Sequence, residues 1–400
     1  MNLSRRVVLI IEVNDIRQQR QLLGITQAKL AALAGCSREY LNQIETGNKK
    51  ASEEITRKLE DALAQLASQN DLQLLIDYVR IRFKTIDPRY VMEDILRMKE
   101  KYFLHEPYGF YSYPEHYRFG DMIICSSHDM EKGILLELKG KGCRQFELIL
   151  EAQNRNWFDF FQRCLESDSI FKRLDIAIDD QAGLLNVPVL AQKCDQEECV
   201  SVFRTFKHYR SGELIKHEEN AGQMGHTLYI GSLRSDIYFC VYEKNYEQYV
   251  KANIALEEAE VKNRFEVRLK NDRATLAMRD LLTHKDLEKT VFGIIHKYVR
   301  FVDRDDNKQR SSWKMNHEWA YFIGEKREKL SLTMQPQPYT LERTLNWLAR
   351  QVAPTLKMAL LLDEIRGENL LNTIIHQAEL SEKQLKIIDQ QSRSLKEIIL

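Results

Sequence analysis

Two segments of this sequence alternate polar and apolar residues so regularly that each is predicted to be a half-buried strand. They are FKRLDIAIDD, residues 171–180, and KNRFEVRLKND, residues 262–272. Successive side chains of a strand point to opposite faces, so each segment has one apolar face and one charged face. The charged faces carry Asp175 and Asp179 in the first segment and Glu266 in the second. We therefore expect a sheet with one face in the core and one charged face.

The spacing of these carboxylates limits how they can bind a metal ion. The two aspartates are four residues apart, and a straight strand rises roughly 3.3 Å per residue, which separates them by about 13 Å. At most one of them binds a given ion, so its partner must come from a neighbouring strand. Glu266, between Arg264 and Arg268, is the candidate. Arg264, Glu266 and Arg268 fit a ladder of ion pairs on the protein surface. They fit equally well a cleft in which Glu266 supplies one oxygen ligand for Mg²⁺ or Mn²⁺ and the two guanidinium groups bind phosphate.

The segment RSDIYFCVYEKNYEQYVKA, residues 234–252, raises a separate question, because its tyrosines have the spacing of one helix face. Its first half instead alternates like a strand, and a helix is predicted from Asn245 to about residue 263. One strand face is then expected to carry Tyr238, Cys240, Tyr242 and Lys244. The helix is expected to carry Tyr246 and Tyr249.

Composition narrows the class of protein. A length of 400 residues suggests two or three domains. The 59 basic and 59 acidic residues cancel, so a nucleic-acid surface would need a local concentration of positive charge. Seven scattered cysteines without a CxxC pair predict a reduced, cytoplasmic chain. No run of about 18 apolar residues occurs, so no membrane insertion is expected.

The N-terminal part contains short helices separated by a glycine turn. TQAKLAALAGCSREYLNQIETGNKKAS, residues 26–52, predicts helices at 27–34 and 38–45, with Ser37 capping the second. The apolar residues expected to face inward are Leu30, Leu33, Leu41 and Ile44.

This pattern resembles the Cro/repressor-type helix-turn-helix family. The resemblance implies that the second helix enters the major groove of DNA, while Gln27 contacts phosphate. The implied recognition residues are Ser37, Arg38, Glu39, Tyr40, Asn42 and Gln43. A small helical bundle used for dimerisation or for docking a partner remains an alternative.

The remaining chain predicts a multidomain protein. An all-α helix-turn-helix domain, residues 1–67, precedes an α+β catalytic domain with a mainly antiparallel sheet, residues 72–303, and a helical C-terminal region, residues 304–400. Within the second domain, 121–127 and 133–140 are predicted to form a hairpin, followed by a tight turn and a further short strand. The segment 156–167 is predicted to be a helix. Residues 67–73 look like a polar linker.

The segments RLDIAIDD, TLYIGSLRSDIYFCVYEKNYEQ and RFEVRLKND, in this order, resemble one family. It comprises the replication initiation factors of Gram-positive rolling-circle plasmids and the related MobT-type relaxases of integrative conjugative elements. The similarity covers roughly residues 70–300. The N-terminal helix-turn-helix makes the chain more similar to the conjugative relaxases than to the plasmid initiators.

The resemblance implies a site- and strand-specific nick at an origin of transfer, made by metal-assisted tyrosine transesterification with a 5′-phosphotyrosine adduct. The implied nucleophile is Tyr242, which precedes the acidic-Lys pair, and Tyr246 is the reserve. Lys244 would neutralise the phosphate or favour the phenolate. A phenol with a pKa near 10 needs such help at neutral pH. The implied metal ligands for Mg²⁺ or Mn²⁺ are Asp175 or Asp179 together with Glu266. If these residues lie in a cleft, Arg264 and Arg268 are expected to bind phosphate.

Two other functions remain open from the sequence. The same chemistry would serve a plasmid or phage-like rolling-circle replication initiator. A transcriptional regulator with a large sensing domain explains the N-terminal helices but leaves the tyrosine and carboxylate motifs without a role. The resemblance further implies double- and single-stranded DNA as partners, with a host helicase, accessory proteins and coupling proteins as candidate protein partners.

Overall fold

The structure of the chain is a computed structural model. It describes residues 16–17, 20, 27–46, 48–49, 51–52, 54–59, 62–63, 72–212, 224–252, 254–256, 258–324 and 348–400.

The predicted helix-turn-helix is present as α1, Gln27–Leu33, and α2, Arg38–Glu45. Ser37 caps α2 as predicted, because its hydroxyl accepts a hydrogen bond from the Tyr40 amide over 3.1 Å. Three of the four predicted inward residues are fully buried. The prediction for Leu33 is wrong: it is 38% exposed, because the turn after α1 carries Ala34 into the core instead.

A ten-stranded sheet, antiparallel at every pairing, forms the central domain, in the order β2-β3-β4-β5-β1-β6-β11-β10-β9-β8. This confirms the predicted α+β class with a mainly antiparallel sheet. The strands are β1 Leu72–Phe83, β2 Leu104–Glu106, β3 Glu115–Phe119, β4 Met122–Ser126, β5 Ile134–Lys139, β6 Ile170–Asp180, β7 Cys199–Ser201, β8 Phe206–Arg210, β9 His226–Ile230, β10 Ile237–Glu243, β11 Asn263–Lys270, β12 Val299–Asp303 and β13 Lys314–Met315. The strands β13, β12 and β7 form a separate small sheet.

Helices cover one face of the large sheet. The other face, which we call the open face, carries charged side chains and borders two cavities. The apolar residues of β1, β6, β10 and β11 pack with these helices in one continuous core. Burial of that face is the main source of stability, at roughly 25 cal/mol per Å² of apolar surface. The remaining helices are α3 Lys141–Ala152, α4 Trp157–Glu166, α5 Val187–Asp195, α6 Lys244–Ala252, α7 Asn271–His284, α8 Leu287–Tyr298, α9 His317–Phe322, α10 Ala353–Arg366, α11 Leu370–Gln377, α12 Glu382–Ser392 and α13 Leu395–Ile398.

Three local predictions were wrong. The polar segment 67–73 predicts a linker, whereas its last two residues, Leu72 and Gln73, begin the central strand β1. The predicted turn and strand after β5 are helix α3; Gly140 at its N-cap and Gly142 in its first turn favour a tight turn in the sequence. Helix α6 ends at Ala252 rather than near residue 263, since the chain must return to the same end of the sheet to begin β11.

Packing continues past residue 303, where the sequence places the end of the catalytic domain. Trp319 and Phe322 of α9 join the main core. The last helices also return to the sheet domain, because Ile398 is fully buried and the Leu400 amide donates to the Arg97 carbonyl. Helices α10 and α11 contribute no buried residue.

Two expectations from the sequence concern membrane insertion and the redox state of the cysteines. No helix in the described part of the chain is both long and apolar enough to cross a bilayer. All seven cysteines are free thiols.

Candidate active site on the open face of the sheet

The strand register brings the predicted site residues into rows on the open face. In the first row Tyr242 of β10 lies opposite Arg264 of β11, which lies opposite Asp179 of β6. Four residues further along β11, Arg268 occupies the same position between Tyr238 of β10 and Asp175 of β6. The alternation predicted for 171–180 and 262–272 is therefore confirmed. The neighbouring strand sets an arginine opposite each aspartate, whereas Glu266, the predicted partner in metal binding, lies opposite Ala177. Its role as a metal ligand stays a prediction.

Tyr242 is bound to a carboxylate. Its hydroxyl donates to Glu266 Oε1 over 3.0 Å. Burial, followed by the charge of Glu266, raises the pKa of Tyr242 well above its usual value of 10. The phenol is therefore neutral at rest, and Glu266 is positioned to receive its proton.

Lys244 lies close to the same hydroxyl, although it does not continue the strand. It is the first residue of α6, and its Nζ lies 3.5 Å from the Tyr242 oxygen and 2.5 Å from Glu247 Oε2. The prediction that Lys244 shares the strand face is thus wrong, because β10 ends at Glu243. The ammonium still reaches the site, from the first turn of the helix.

Two arginines of β11 hold carboxylates of this face. Arg264 binds both oxygens of Asp179, at 2.5 and 2.9 Å, and also binds Asp77 at 2.8 Å. Arg268 binds Glu266 at 2.6 Å and lies 3.8 Å from Asp175. Most of the formal charge is therefore neutralised within the site, which costs less than burying isolated ions.

Asp175 is a buried carboxyl with a raised pKa. Burial raises its pKa to about 6, against the favourable hydrogen bond from Arg173. Arg173 contacts both oxygens, the closest at 2.6 Å. The Asp175 carboxyl is therefore expected to exchange its proton close to neutral pH.

The donor set fits a divalent ion in part. Within the described ranges, no three His, Cys, Asp or Glu side chains cluster so as to hold a metal. Mg²⁺ in proteins is often bound by one or two carboxylates together with substrate phosphates. Asp175 and Glu266, which interact electrostatically across adjacent strands, satisfy that requirement. Arg264 holds both oxygens of Asp179, as Arg173 holds both oxygens of Asp175, so ion pairing does not separate the two aspartates. The interaction with Glu266 is the observation that favours Asp175.

Tyr246, the reserve nucleophile, borders the same cavity as Tyr242. The cavity has a volume of about 430 Å³ and is lined by both tyrosines. The ring of Tyr246 packs on Gly225, where an added Cβ would lie 2.8 Å from the tyrosine Cβ. Burial raises the pKa of Tyr246 as well. The hydrogen bond to Glu266 distinguishes Tyr242 from it.

Sequence reasoning missed Asp77. This residue is the extra residue of a bulge in β1, between the pairs Ile76–Ile176 and Tyr78–Asp175. The bulge places the Asp77 carboxylate beside Arg264. The alternation of apolar residues in LQLLIDYVRIRF would have identified the strand, but no local signal identifies the bulge.

The predicted DNA-reading surface of α2 is largely exposed. Gln27 does not point into solvent: it donates to Asn42 Oδ1 over 3.1 Å and to Glu45 Oε2 over 2.8 Å, and so connects α1 to α2. Tyr40 is half-buried beneath Lys49. The exposed residues are Ser37, Arg38, Glu39, Asn42 and Gln43. Their contacts with DNA remain predictions.

Comparison with known proteins follows the same division of the chain. Residues 169–375 match the family described as Replication initiation factor. Residues 73–163 match the Rolling Circle replication initiation protein N-terminal domain, and residues 16–64 match a Helix-turn-helix family.

Two individual relatives support this assignment. The chain is 40% identical over 324 residues to "Putative DNA relaxase NicK" of Bacillus subtilis (strain 168), covering 81% of this chain and 91% of the relative. It also matches a solved rolling circle replication initiator protein from Geobacillus stearothermophilus, with a TM-score of 0.56 and 27% identity, over 66% of this chain and 99% of that one. The chain therefore belongs to the rolling-circle replication initiation factor family and carries a helix-turn-helix at its N-terminal end.

Proposed function

We propose that this protein is a site- and strand-specific DNA relaxase that nicks an origin of transfer and stays linked to the 5′ phosphate through Tyr242. The hydrogen bond from the Tyr242 hydroxyl to Glu266 carries the proposal. It pairs a nucleophile with a base on an open, charged sheet face. The name of the Bacillus subtilis relative, "Putative DNA relaxase NicK", supports the same activity.

The reaction follows from these contacts. The Tyr242 oxygen attacks the scissile phosphorus while its proton passes to Glu266. The bond from phosphorus to the 3′ oxygen breaks, and that oxygen leaves as the 3′ hydroxyl after taking up a proton. The new phosphotyrosine ester keeps the bond energy that is needed to rejoin the strand.

Positive groups around the hydroxyl bind the phosphate in this scheme. Lys244 Nζ lies 3.5 Å from the attacking oxygen. Arg264 and Arg268 lie on the neighbouring strand and already bind carboxylates. We assign Asp179 the role of orienting Arg264, since it binds that guanidinium through both oxygens. Fixed cations stabilise charge that develops on the phosphate in the transition state.

We propose Mg²⁺ or Mn²⁺ as the cofactor, with Asp175 and Glu266 as the residues that would hold it. Such an ion, when bound, polarises the non-bridging phosphate oxygens. The hydrogen bond from Tyr242 and the positions of the cations do not depend on it.

A rolling-circle replication initiator is the second candidate, because the Geobacillus stearothermophilus protein is described as one. The site chemistry is the same in both cases, so the DNA element and the partners decide between them. The exposed apolar residues of α10 and α11, among them Leu361, Ile365 and Ile374, suit a helicase, accessory or coupling protein.

The central experiment uses supercoiled DNA of the protein's own element with Mg²⁺ or Mn²⁺. Tyr242→Phe is expected to abolish open circles and the covalent adduct, while duplex binding is retained. Tyr246→Phe is the matched control and is expected to keep the adduct. An adduct that persists in Tyr242→Phe and disappears in Tyr246→Phe would transfer the nucleophile to Tyr246.

A further inference from the structure

A second and larger cavity, which we name the distal cleft, begins beside the Tyr242 site. It starts at Lys244 and Arg264 and reaches Tyr108, Phe110 and His116 beyond β5. Its volume is about 1490 Å³. Pockets for small molecules are typically about 300–1,000 Å³. The distal cleft therefore fits a segment of polymer better than a single small ligand.

Aromatic rings form the far end of the distal cleft. Tyr108 is 55% exposed and Phe110 is 43% exposed, and their ring centroids lie 5.1 and 5.0 Å from that of His116. His116 is buried, and its Nδ1 lies 2.5 Å from the Tyr108 carbonyl oxygen. The two exposed rings are thus backed by a fixed third ring. Exposed rings held in this way offer faces for stacking of unpaired bases.

The loop that carries these rings is anchored to the sheet. The Tyr111 hydroxyl donates to Glu137 Oε2 over 2.8 Å, and the Tyr111 ring lies 4.2 Å from the Arg80 guanidinium. Gly109 is packed so closely that an added Cβ would lie 2.2 Å from the Tyr113 carbonyl oxygen. A ligand therefore meets rings that are already positioned, which lowers the entropy cost of binding.

Cationic groups lie between the rings and the Tyr242 site. Lys139 and Lys141 are exposed and line the distal cleft at the N-terminus of α3. That helix has no capping side chain and no acidic residue in its first turn, so its amide groups attract an anion.

Arg144 supplies independent support for an anion at this position. It lines the distal cleft, is 7% exposed and pairs with Glu147 at 2.9 Å. Its Nη1 is buried and has no hydrogen-bond partner in the described part of the chain. Buried hydrogen-bond donors nearly always have an acceptor. An acceptor on a ligand in the cleft would therefore provide Arg144 Nη1 with its missing hydrogen bond.

We propose that the distal cleft binds single-stranded DNA adjoining the scissile phosphate. Tyr108 and Phe110 stack on bases, and Lys139, Lys141 and Arg144 bind the phosphates between those bases and Tyr242. A paired duplex does not fit this surface, because its bases are stacked on each other and expose no faces. The proposal rests on the proposed nicking function for the position of the scissile bond, and its test measures binding alone.

The first test measures the affinity of the full-length protein for a fluorescein-labelled oligothymidylate of about 20 nucleotides, by anisotropy. Stacking contributes about 1–3 kcal/mol per base, so Tyr108→Ala with Phe110→Ala is expected to weaken binding at least about fivefold. Tyr108→Phe and Phe110→Tyr keep the rings and are expected to bind like wild type. Leu276→Ala, on the exposed side of α7, is the control for removal of an exposed apolar side chain.

The second test examines the phosphate contacts. Lys139→Ala with Lys141→Ala is expected to reduce the slope of log affinity against log salt by about 0.7 per contact. Lys297→Ala, exposed on α8, is expected to leave the slope unchanged. Wild-type affinity in the double-ring variant overturns the proposal, as does an equal loss of affinity for a duplex of the same length. Failure of the Tyr242 adduct in wild type, with these binding losses intact, refutes the nicking function and leaves the distal cleft assigned.

Discussion

Replacing Glu266 by glutamine tests how Tyr242 is activated. The Tyr242 hydroxyl donates to Glu266 over 3.0 Å. Burial and then the charge of Glu266 raise the pKa of that phenol. The neutral phenol needs a base at the moment of attack, and Glu266 is the group that contacts its proton. Glutamine keeps the size of the side chain but does not accept the proton.

The two effects of this substitution have opposite signs. Removing the negative charge lowers the pKa of Tyr242, which by itself favours the phenolate and leaves nicking unchanged or faster. Loss of a general base slows the reaction by roughly 10²- to 10⁴-fold. This corresponds to about 2.7–5.4 kcal/mol of transition-state stabilisation. We therefore expect slower adduct formation, with the affinity for single-stranded DNA kept within about twofold.

The assay is single-turnover formation of the covalent adduct on a labelled origin strand, resolved on denaturing gels. Titration with Mn²⁺ separates two causes of a slower rate: loss of an ion ligand raises the Mn²⁺ concentration needed, whereas loss of the base lowers the plateau. Asp280→Asn is the control, because it removes a carboxylate that accepts a hydroxyl hydrogen bond from Thr290 at 2.7 Å on the helix-covered side. A plateau rate for Glu266→Gln within about fivefold of wild type refutes the base role.

Two further predictions concern the N-terminal helices and the stability of the sheet. Removal of residues 1–66 is expected to weaken binding of duplex origin DNA in gel shifts, since helix-turn-helix elements read duplex grooves. Cleavage of a single-stranded oligonucleotide is expected to be retained. Total loss of that cleavage contradicts this modular arrangement. Burial would raise the pKa of Glu137, but hydrogen bonds from Tyr78 and Tyr111 and the charge of Arg80 hold it at about 2. Because this folded-state pKa lies below the unfolded value of about 4.3, the stabilisation is complete above about pH 4.5 and is lost as the pH falls towards 2. Glu137→Gln is therefore expected to lower the free energy of unfolding by roughly 2 kcal/mol at pH 7, after allowance for screening by solvent, and by less at pH 3. Denaturant titrations followed by tryptophan fluorescence measure both values. Equal losses at the two pH values argue against a charge effect.

The sequence by itself determined which residues share a sheet face. Alternation in 171–180 and 262–272 assigned the charged side chains to one face, because a strand has a period of two residues wherever it is placed. The nucleophile candidate came from the resemblance of the motif around Tyr242 to a known family, because the spacing of the tyrosines alone did not single one out. The capping serine of α2 was equally visible, since a cap depends only on neighbouring residues in the chain.

Only the tertiary structure decided which of these groups meet. The hydrogen bond between Tyr242 and Glu266 depends on the register of β10 against β11. The ion pair of Arg264 with Asp77 depends on a bulge in β1. The distal cleft joins residues separated by more than one hundred positions, from Tyr108 to Arg264. Register and strand order follow from the packing of the whole apolar face of the sheet against its helices. That packing joins residues that are distant in sequence, so a local sequence pattern does not predict it.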